Sequence, residues 1–214
     1  WSSAFPREML EHPEARFLHV IRDPRDILLS GLRYHRIAGR GNEKFLRQKR
    51  DECGGRNYQD YLNSLPSEHE QLLFEMSHKH DETLREMCNW DYSHAHSVEL
   101  AYEDLIEDRD CSRFRTALET VAFEGLDLEA AVQSYWDEAL FGGKAKKENR
   151  DDHHNRHVSA EAGRTAQWVT DLPQDVAEIY EERYGTALKR LGYENDTFWP
   201  RHCPEPAEHI SFAG

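Results

Sequence analysis

The sequence lacks the patterns that mark zinc sites, disulfide frameworks and membrane spans. Its four cysteines, Cys53, Cys88, Cys111 and Cys203, lie far apart and form no Cys-x-x-Cys pair. This spacing disfavours a zinc site or a disulfide framework, so we expect reduced thiols and a cytoplasmic location. No apolar run approaches transmembrane length and no charged-then-apolar leader is present, so we predict no membrane association through this chain. Residue 1 is Trp rather than Met, which leaves an upstream signal or anchor open.

Positive charge is scarce as well. The 214 residues include 27 Lys and Arg against 41 Asp and Glu, which gives a formal net charge of −14 at pH 7. A field of this sign repels the phosphates of DNA, RNA and anionic lipids. We therefore predict no nucleic-acid partner, and a site for an anionic ligand has to concentrate basic side chains locally.

Histidine is abundant, but it does not form a metal-binding pattern. The chain has 13 histidines, and the densest run, residues 151–157, includes the neighbours His153 and His154. Adjacent residues do not share a helix face, and no regular ligand spacing frames them, so we expect no metal. The run follows a stretch of Lys and Arg. We predict a mobile loop over about residues 142–162 that acts as a lid and excludes water from an anion site.

Length and composition fit a single α/β domain that covers residues 1–214. Hydrophobic residues make up 38% of the chain, and five Trp, nine Tyr and nine Phe supply bulky core material. Loose helical periodicity predicts a helical region over about residues 42–90. Another helix is predicted to start at Asp171, where Asp171 and Gln174 have the spacing of a capping box.

One strand–turn–helix segment carries the strongest functional signal. Phe17–Ile21 is a short apolar run with β-branched residues, which predicts one buried strand at the centre of a parallel sheet. Asp23 and Pro24 then predict the start of a helix. Arg22 stands at the strand end and Ser30 lies two helical turns on, so a guanidinium and a hydroxyl can converge on one anion. The alternative is an ordinary turn between strand and helix in which Arg22 forms an ion pair with Asp23 or Asp26.

Two later segments add to this signal. Residues 98–102 predict a second strand in the same sheet, and Tyr102 ends it. Farther on, Gly163, Arg164 and Trp168 place a flexible residue, a cation and an aromatic ring in one short stretch. The plain alternatives are simple packing for Tyr102 and a glycine turn before a helix with Trp168 in the core.

In this order the segments resemble the sulfotransferase family that uses 3′-phosphoadenosine 5′-phosphosulfate (PAPS) as donor. The resemblance implies that Arg22 and Ser30 hold the 3′-phosphate of the nucleotide and that Tyr102 approaches the adenine. It also implies that Gly163 lets the backbone approach the phosphate and that Arg164 adds a charge-assisted hydrogen bond.

The resemblance runs from residue 16 to residue 194 and implies a fold and a reaction. The implied fold is α/β, with a parallel sheet flanked by helices, of the P-loop nucleotide-kinase-like type. The implied reaction moves a sulfuryl group from PAPS to a hydroxyl or amine of a small-molecule or glycan acceptor and leaves 3′-phosphoadenosine 5′-phosphate. The region over about residues 42–90 then helps to shape the acceptor pocket.

Two departures from the family pattern leave alternatives open. Ala166 occupies a position where the family commonly has a second Gly. The Gly/Ser/Thr-rich loop with a Lys, which holds the 5′-phosphosulfate in the family, does not occur in the sequence, and no catalytic residue is assigned. The chain is then a fragment without the N-terminal strand and loop, one of two companion pieces, or a non-catalytic 3′-phosphonucleotide-binding module. A nucleotide kinase on the same fold is the other enzyme hypothesis, and the acceptor and oligomeric state stay open.

Overall fold

A computed structural model describes residues 7–39, 43–139, 141–143 and 163–206. In these ranges the protein is mixed α/β and mostly helical, with strands β1 (Phe17–Ile21) and β2 (Ser97–Ala101) in one parallel sheet. The helices are α1 (Arg7–Leu10), α2 (Pro24–Ile37), α3 (Tyr58–Ser64), α4 (Glu68–Ser77), α5 (Lys79–Asn89), α6 (Tyr102–Glu107), α7 (Ser112–Thr120), α8 (Leu128–Glu138), α9 (Trp168–Asp171) and α10 (Gln174–Arg190). No helix in the described ranges is long and apolar enough to cross a membrane. Most of the predicted mobile loop, residues 144–162, lies outside the described residues.

The sheet confirms the two predicted strands and their parallel pairing, but β2 ends one residue earlier than predicted, at Ala101, and Tyr102 begins α6 instead of ending the strand. Each residue of β1 pairs with the residue 80 positions later, from Phe17 with Ser97 to Ile21 with Ala101. The predicted burial of β1 is only partly present, because Ile21 is 6% exposed whereas Val20 is 50% exposed. Successive residues of a strand face opposite sides of the sheet. β1 is therefore not the buried strand that was predicted, and it is not central either, because its sheet has only two strands in the described residues.

The chain divides into two compact units. Unit 1 consists of residues 1–23 and 89–165, and unit 2 consists of residues 24–88 and 166–214. Unit 1 contains the sheet together with α6, α7 and α8, whereas unit 2 contains α2, α3, α4, α9 and α10. A single domain over the whole chain stays a prediction.

In unit 1, the sheet is held by aromatic packing and by the helices that follow β2. Phe17 and His19 of β1 pack against Trp90, with ring centroids 5.7 and 4.4 Å apart. β2 contacts both α6 and α7. The buried carboxylate of Asp108 accepts the backbone N–H of Phe114 at 3.0 Å and so satisfies a donor at the start of α7.

Local sequence signals set the helix starts in unit 2. α2 begins at Pro24, as predicted, because proline has no N–H to satisfy and its fixed φ suits the first helical position. Ser67 caps α4, since its hydroxyl oxygen accepts the backbone N–H of Glu70 at 3.2 Å. The three helices α3, α4 and α5 lie in the region predicted to be helical over about residues 42–90.

The apolar core cluster of the described residues belongs to unit 2. It joins α2, α3, α4 and α10 with the 3₁₀ turn at Trp199–His202. Gly192, with φ of +80°, follows the last turn of α10 and ends the helix. The core members with no exposed surface are Leu28, Leu46, Leu62, Leu72, Met76, Leu172, Val176, Ala177, Tyr180 and Leu188.

The capping box predicted at Asp171 is wrong. Asp171 is the last residue of α9, and α10 begins at Gln174 after Pro173 with no side-chain cap. The Asp171 carboxylate instead accepts a hydrogen bond from the Arg33 guanidinium at 2.6 Å. A charge-assisted bond to another helix has replaced the local cap.

Candidate anion-binding site at the strand ends

The two strands of unit 1 end at the same edge, and the residues that follow them are in contact. The backbone ladder stops at Ile21 and Ala101, so Arg22 and Tyr102 are the next pair in register. The guanidinium carbon of Arg22 lies 4.6 Å from the centre of the Tyr102 ring. At this distance the guanidinium is attracted to the negative face of the ring, and this cation–π interaction orients the arginine. Both residues are half-buried.

A segment far along the chain reaches the same strand end. Arg22 Nη2 donates a hydrogen bond to the backbone oxygen of Arg164 at 3.3 Å, across a separation of 142 residues and in an exposed position. Gly163 directly before it has φ of +88°, a conformation that glycine adopts without steric cost. The Arg164 side chain is exposed. Unit 1 thus brings two cationic residues, a glycine turn and an aromatic ring together.

The structure therefore unites most of the residues that the sequence singled out for an anion site. In unit 1 the Arg22 guanidinium contacts the Tyr102 ring and the backbone oxygen of Arg164, and Gly163 directly before Arg164 has a positive φ. Ser30 lies in α2 of unit 2, where it is half-buried. Its contribution to an anion site stays a prediction.

Glu103 lies at the same strand end, although the sequence pattern pointed only to its neighbour Tyr102. Glu103 Oε1 accepts the backbone N–H of Asp23 at 2.9 Å. The signal that could have found it is an acidic residue in the first turn of a helix that directly follows a strand. Carboxylates in that position often accept backbone N–H groups.

One pair of titratable groups lies on the sheet itself. His19 and Glu99 are opposite each other in register, and His19 Nδ1 lies 3.5 Å from Glu99 Oε2. Burial lowers the pKa of His19 and raises the pKa of Glu99, because each charged form is poorly solvated there. Both shifts disfavour the charged forms, so burial works against an ion pair between these two side chains. The positive charge at the strand ends comes from arginine.

Ala166 has a positive φ at the position where the family resemblance expects a second glycine. Its φ of +52° lies in the left-handed region, which glycine adopts freely. The same conformation costs an alanine roughly 1–2 kcal/mol, because its Cβ approaches the following carbonyl oxygen. Two residues with positive φ, Gly163 in unit 1 and Ala166 in unit 2, thus lie three positions apart in the sequence.

In unit 2, the start of α2 holds the tryptophan that follows the Gly-Arg turn. The backbone N–H of Trp168 donates to Asp26 Oδ1 at 3.1 Å, and the Arg25 guanidinium carbon lies 3.8 Å from the Trp168 ring centre. Arg25 is 2% exposed, lies 4.6 Å from the Trp199 ring centre and donates to Glu194 at 2.5 Å. Trp168 packs against the core of unit 2, as the structural alternative predicted.

No group of three or more His, Cys, Asp or Glu side chains in the described ranges is arranged to hold a metal ion. No protein-family model, curated protein or solved structure matches the chain. A functional conclusion therefore rests on the residues and on the geometry of the strand ends.

Proposed function

We propose that unit 1 carries a binding site for a 3′-phosphorylated adenine nucleotide. The supporting observation is the contact of Arg22 with the Tyr102 ring and with the Arg164 backbone. This contact joins the segment of Arg22 to the segment of Arg164, and the sequence predicted that both segments bind the same phosphate. Guanidinium groups recognise phosphate oxygens through charge-assisted hydrogen bonds, and an aromatic ring beside them suits a purine base.

The more specific proposal is that the nucleotide is PAPS and that the protein is a PAPS-dependent sulfotransferase with a P-loop nucleotide-kinase-like fold. Its support is the parallel pairing of β1 and β2 with Arg22 at their carboxyl ends, where open α/β sheets bind ligands. The left-handed backbone at Gly163 and Ala166 adds support, because the family has a glycine-rich segment there.

In this proposal the arginines bind the donor at its 3′-phosphate, which is distant from the reacting sulfur. In the reaction, the bond from sulfur to the 5′-phosphate oxygen breaks as a bond forms to the acceptor oxygen or nitrogen, which loses a proton. The products are the sulfated acceptor, from a small molecule or a glycan, and 3′-phosphoadenosine 5′-phosphate. Arg22 and Arg164 bind the 3′-phosphate and thereby position the donor, which is a main source of rate in group transfer.

Calorimetry with 3′,5′-ADP, 2′,5′-ADP and 5′-AMP tests the binding half of the proposal. The 2′,5′ isomer is the matched control ligand, since it has the same charge with the phosphate on the neighbouring hydroxyl. We expect 3′,5′-ADP to bind roughly ten- to a hundredfold more tightly than 5′-AMP, because a hydrogen bond to a charged group contributes about 1.5–3 kcal/mol. Equal affinity of the unmutated protein for these two nucleotides would contradict the proposal.

Two variants connect that preference to Arg22. Arg22→Ala should remove most of the preference for 3′,5′-ADP. Arg109→Ala removes an exposed arginine from the same unit and should leave the preference unchanged. An equal loss in both variants would indicate a general charge effect rather than a phosphate contact.

Transfer from radiolabelled PAPS to a panel of hydroxyl and amine acceptors tests the catalytic half. We expect label on at least one acceptor and release of 3′-phosphoadenosine 5′-phosphate. Specific binding of 3′,5′-ADP without transfer would favour the non-catalytic nucleotide-binding module. Phosphoryl transfer from ATP and Mg²⁺ to a nucleoside monophosphate would favour a nucleotide kinase.

A further inference from the structure

The backbone after β1 has a donor that the sheet does not satisfy. The ladder ends at Ile21 and Ala101, and Tyr102 already begins α6. From there, the carbonyl groups point along the helix and accept N–H groups four residues later. Asp23 is 6% exposed, and buried backbone donors are almost always paired. Its N–H therefore needs an acceptor other than a strand carbonyl.

Glu103 supplies that acceptor. Its Oε1 lies 2.9 Å from the backbone nitrogen of Asp23, and the two residues are 80 positions apart, the same offset as the paired residues of the strands. The carboxylate thus ties the backbone that follows β1 to the helix that follows β2, next to Arg22 and Tyr102, whose side chains are in contact. The backbone of Arg22 is held by the ladder before it and by the Glu103 bond after it.

We propose that Glu103 is a positioning residue for Arg22 in the nucleotide site, an inference that rests on the proposed function. A carboxylate close to a bound phosphate repels it, so Glu103 serves the site through its bond to the Asp23 backbone rather than by touching the ligand. Loss of the bond releases the backbone next to Arg22, and the guanidinium loses its fixed position over the Tyr102 ring. Arg22 remains the residue that contacts phosphate.

Three substitutions separate the hydrogen bond of Glu103 from its charge. Glu103→Gln keeps an acceptor oxygen at the same reach and removes the charge. Glu103→Asp keeps the charge but shortens the side chain by one methylene group, and Glu103→Ala removes both features. Glu107→Ala is the matched control, since it removes an exposed carboxylate from the end of the same helix.

Nucleotide affinity is the first readout. We expect Glu103→Gln and Glu107→Ala to bind 3′,5′-ADP within about threefold of the unmutated protein. The Asp and Ala variants should bind about tenfold more weakly and should prefer 3′,5′-ADP over 2′,5′-ADP less strongly. A purely structural role would lower the affinities for both isomers together.

Amide hydrogen exchange at Asp23, measured by NMR without nucleotide, is the second readout. Exchange should be slow in the unmutated protein and in the Gln variant, and faster in the Asp and Ala variants. If Glu103→Ala does not fold, the Gln and Asp variants decide, and equal affinity in these two overturns the inference. If the unmutated protein binds 3′,5′-ADP and 5′-AMP equally well, the proposed function is wrong. If the unmutated protein prefers 3′,5′-ADP and Glu103→Ala binds it just as tightly, only the role of Glu103 is wrong.

Discussion

Arg22 and Arg25 lie three residues apart in one strand–turn–helix segment, but their surroundings differ. Arg25 in unit 2 is 2% exposed and lies between the rings of Trp168 and Trp199, with Glu194 as its ion-pair partner at 2.5 Å. Arg22 in unit 1 is half-buried, and its hydrogen bond to the backbone of the Gly-Arg turn lies in an exposed position. One arginine is enclosed by the protein, whereas the other is only half-buried.

A buried polar cluster in unit 2 differs in the same way from the strand ends of unit 1. In unit 2, Glu75 is 1% exposed, accepts a hydrogen bond from Tyr58 at 2.8 Å and contacts His35 Nδ1 at 2.9 Å. In unit 1, Arg22 and Tyr102 at the strand ends are half-buried. Buried polar groups have to be satisfied by the protein itself, so they stabilise the fold, while a binding site needs polar groups within reach of solvent.

The largest effect is expected for Arg25→Ala. The substitution leaves the Glu194 carboxylate without its buried partner, so we expect a loss of about 3–5 kcal/mol in the free energy of unfolding. Arg22→Ala should cost less than about 1 kcal/mol, because accessible cation–π contacts contribute about 0.5–1 kcal/mol. Urea denaturation of both variants measures the difference. Arg25→Lys, which keeps the charge without the planar fork, should lie between them, and equal losses at the two arginines would break the contrast.

An intermediate effect is expected from pH. His80 in unit 2 is 2% exposed, its Nε2 lies 2.8 Å from Tyr180 Oη, and burial lowers the pKa of this imidazole to about 3. Below about pH 6.5 the unfolded chain binds a proton at this histidine that the folded chain does not bind. The neutral His80 therefore costs no stability well above pH 6.5, and the free energy of unfolding falls as the pH falls from there toward 3. Between pH 6.5 and pH 5 the loss should be about 1.6 kcal/mol.

Urea denaturation at these two pH values, with His80→Gln as the variant, measures that contribution. The variant should lose the corresponding part of the pH dependence. Burial also lowers the pKa of His19 in unit 1, but His19 is less buried than His80. His19→Gln should therefore change the pH dependence less than His80→Gln does. A pH dependence that is unchanged by His80→Gln would refute the assignment.

The smallest effect is expected at Ala166, just after the turn that carries Arg164. Ala166→Gly removes the penalty of a positive φ and loses little packing, because the side chain is exposed. The relief of this strain exceeds the entropy cost of fixing a glycine, so the variant should be more stable than the unmutated protein by about 0.5–1 kcal/mol. Ala187→Gly, in the interior of α10, is the control and should be less stable by about 1 kcal/mol. Thermal denaturation compares them, and destabilisation by both substitutions would argue against the left-handed backbone.

Local signals in the sequence determined the elements around the candidate site. The apolar run Phe17–Ile21 predicted β1, and Pro24 predicted the start of α2. These features could be predicted because the preference of β-branched residues for strands and the fixed φ of proline act within a few residues. The position of Arg22 at a strand end follows from the same local pattern.

Only the tertiary structure decided which charged groups pair. The sequence offered nearby aspartates for Arg22 and a local cap for Asp171. In the structure Asp171 accepts a hydrogen bond from Arg33, Arg25 pairs with Glu194, and Glu103 accepts the N–H of Asp23. These partners are 138, 169 and 80 residues apart. Any of the many acidic residues can accept from a given donor, and the choice depends on which of them folding brings within hydrogen-bond distance and removes from water.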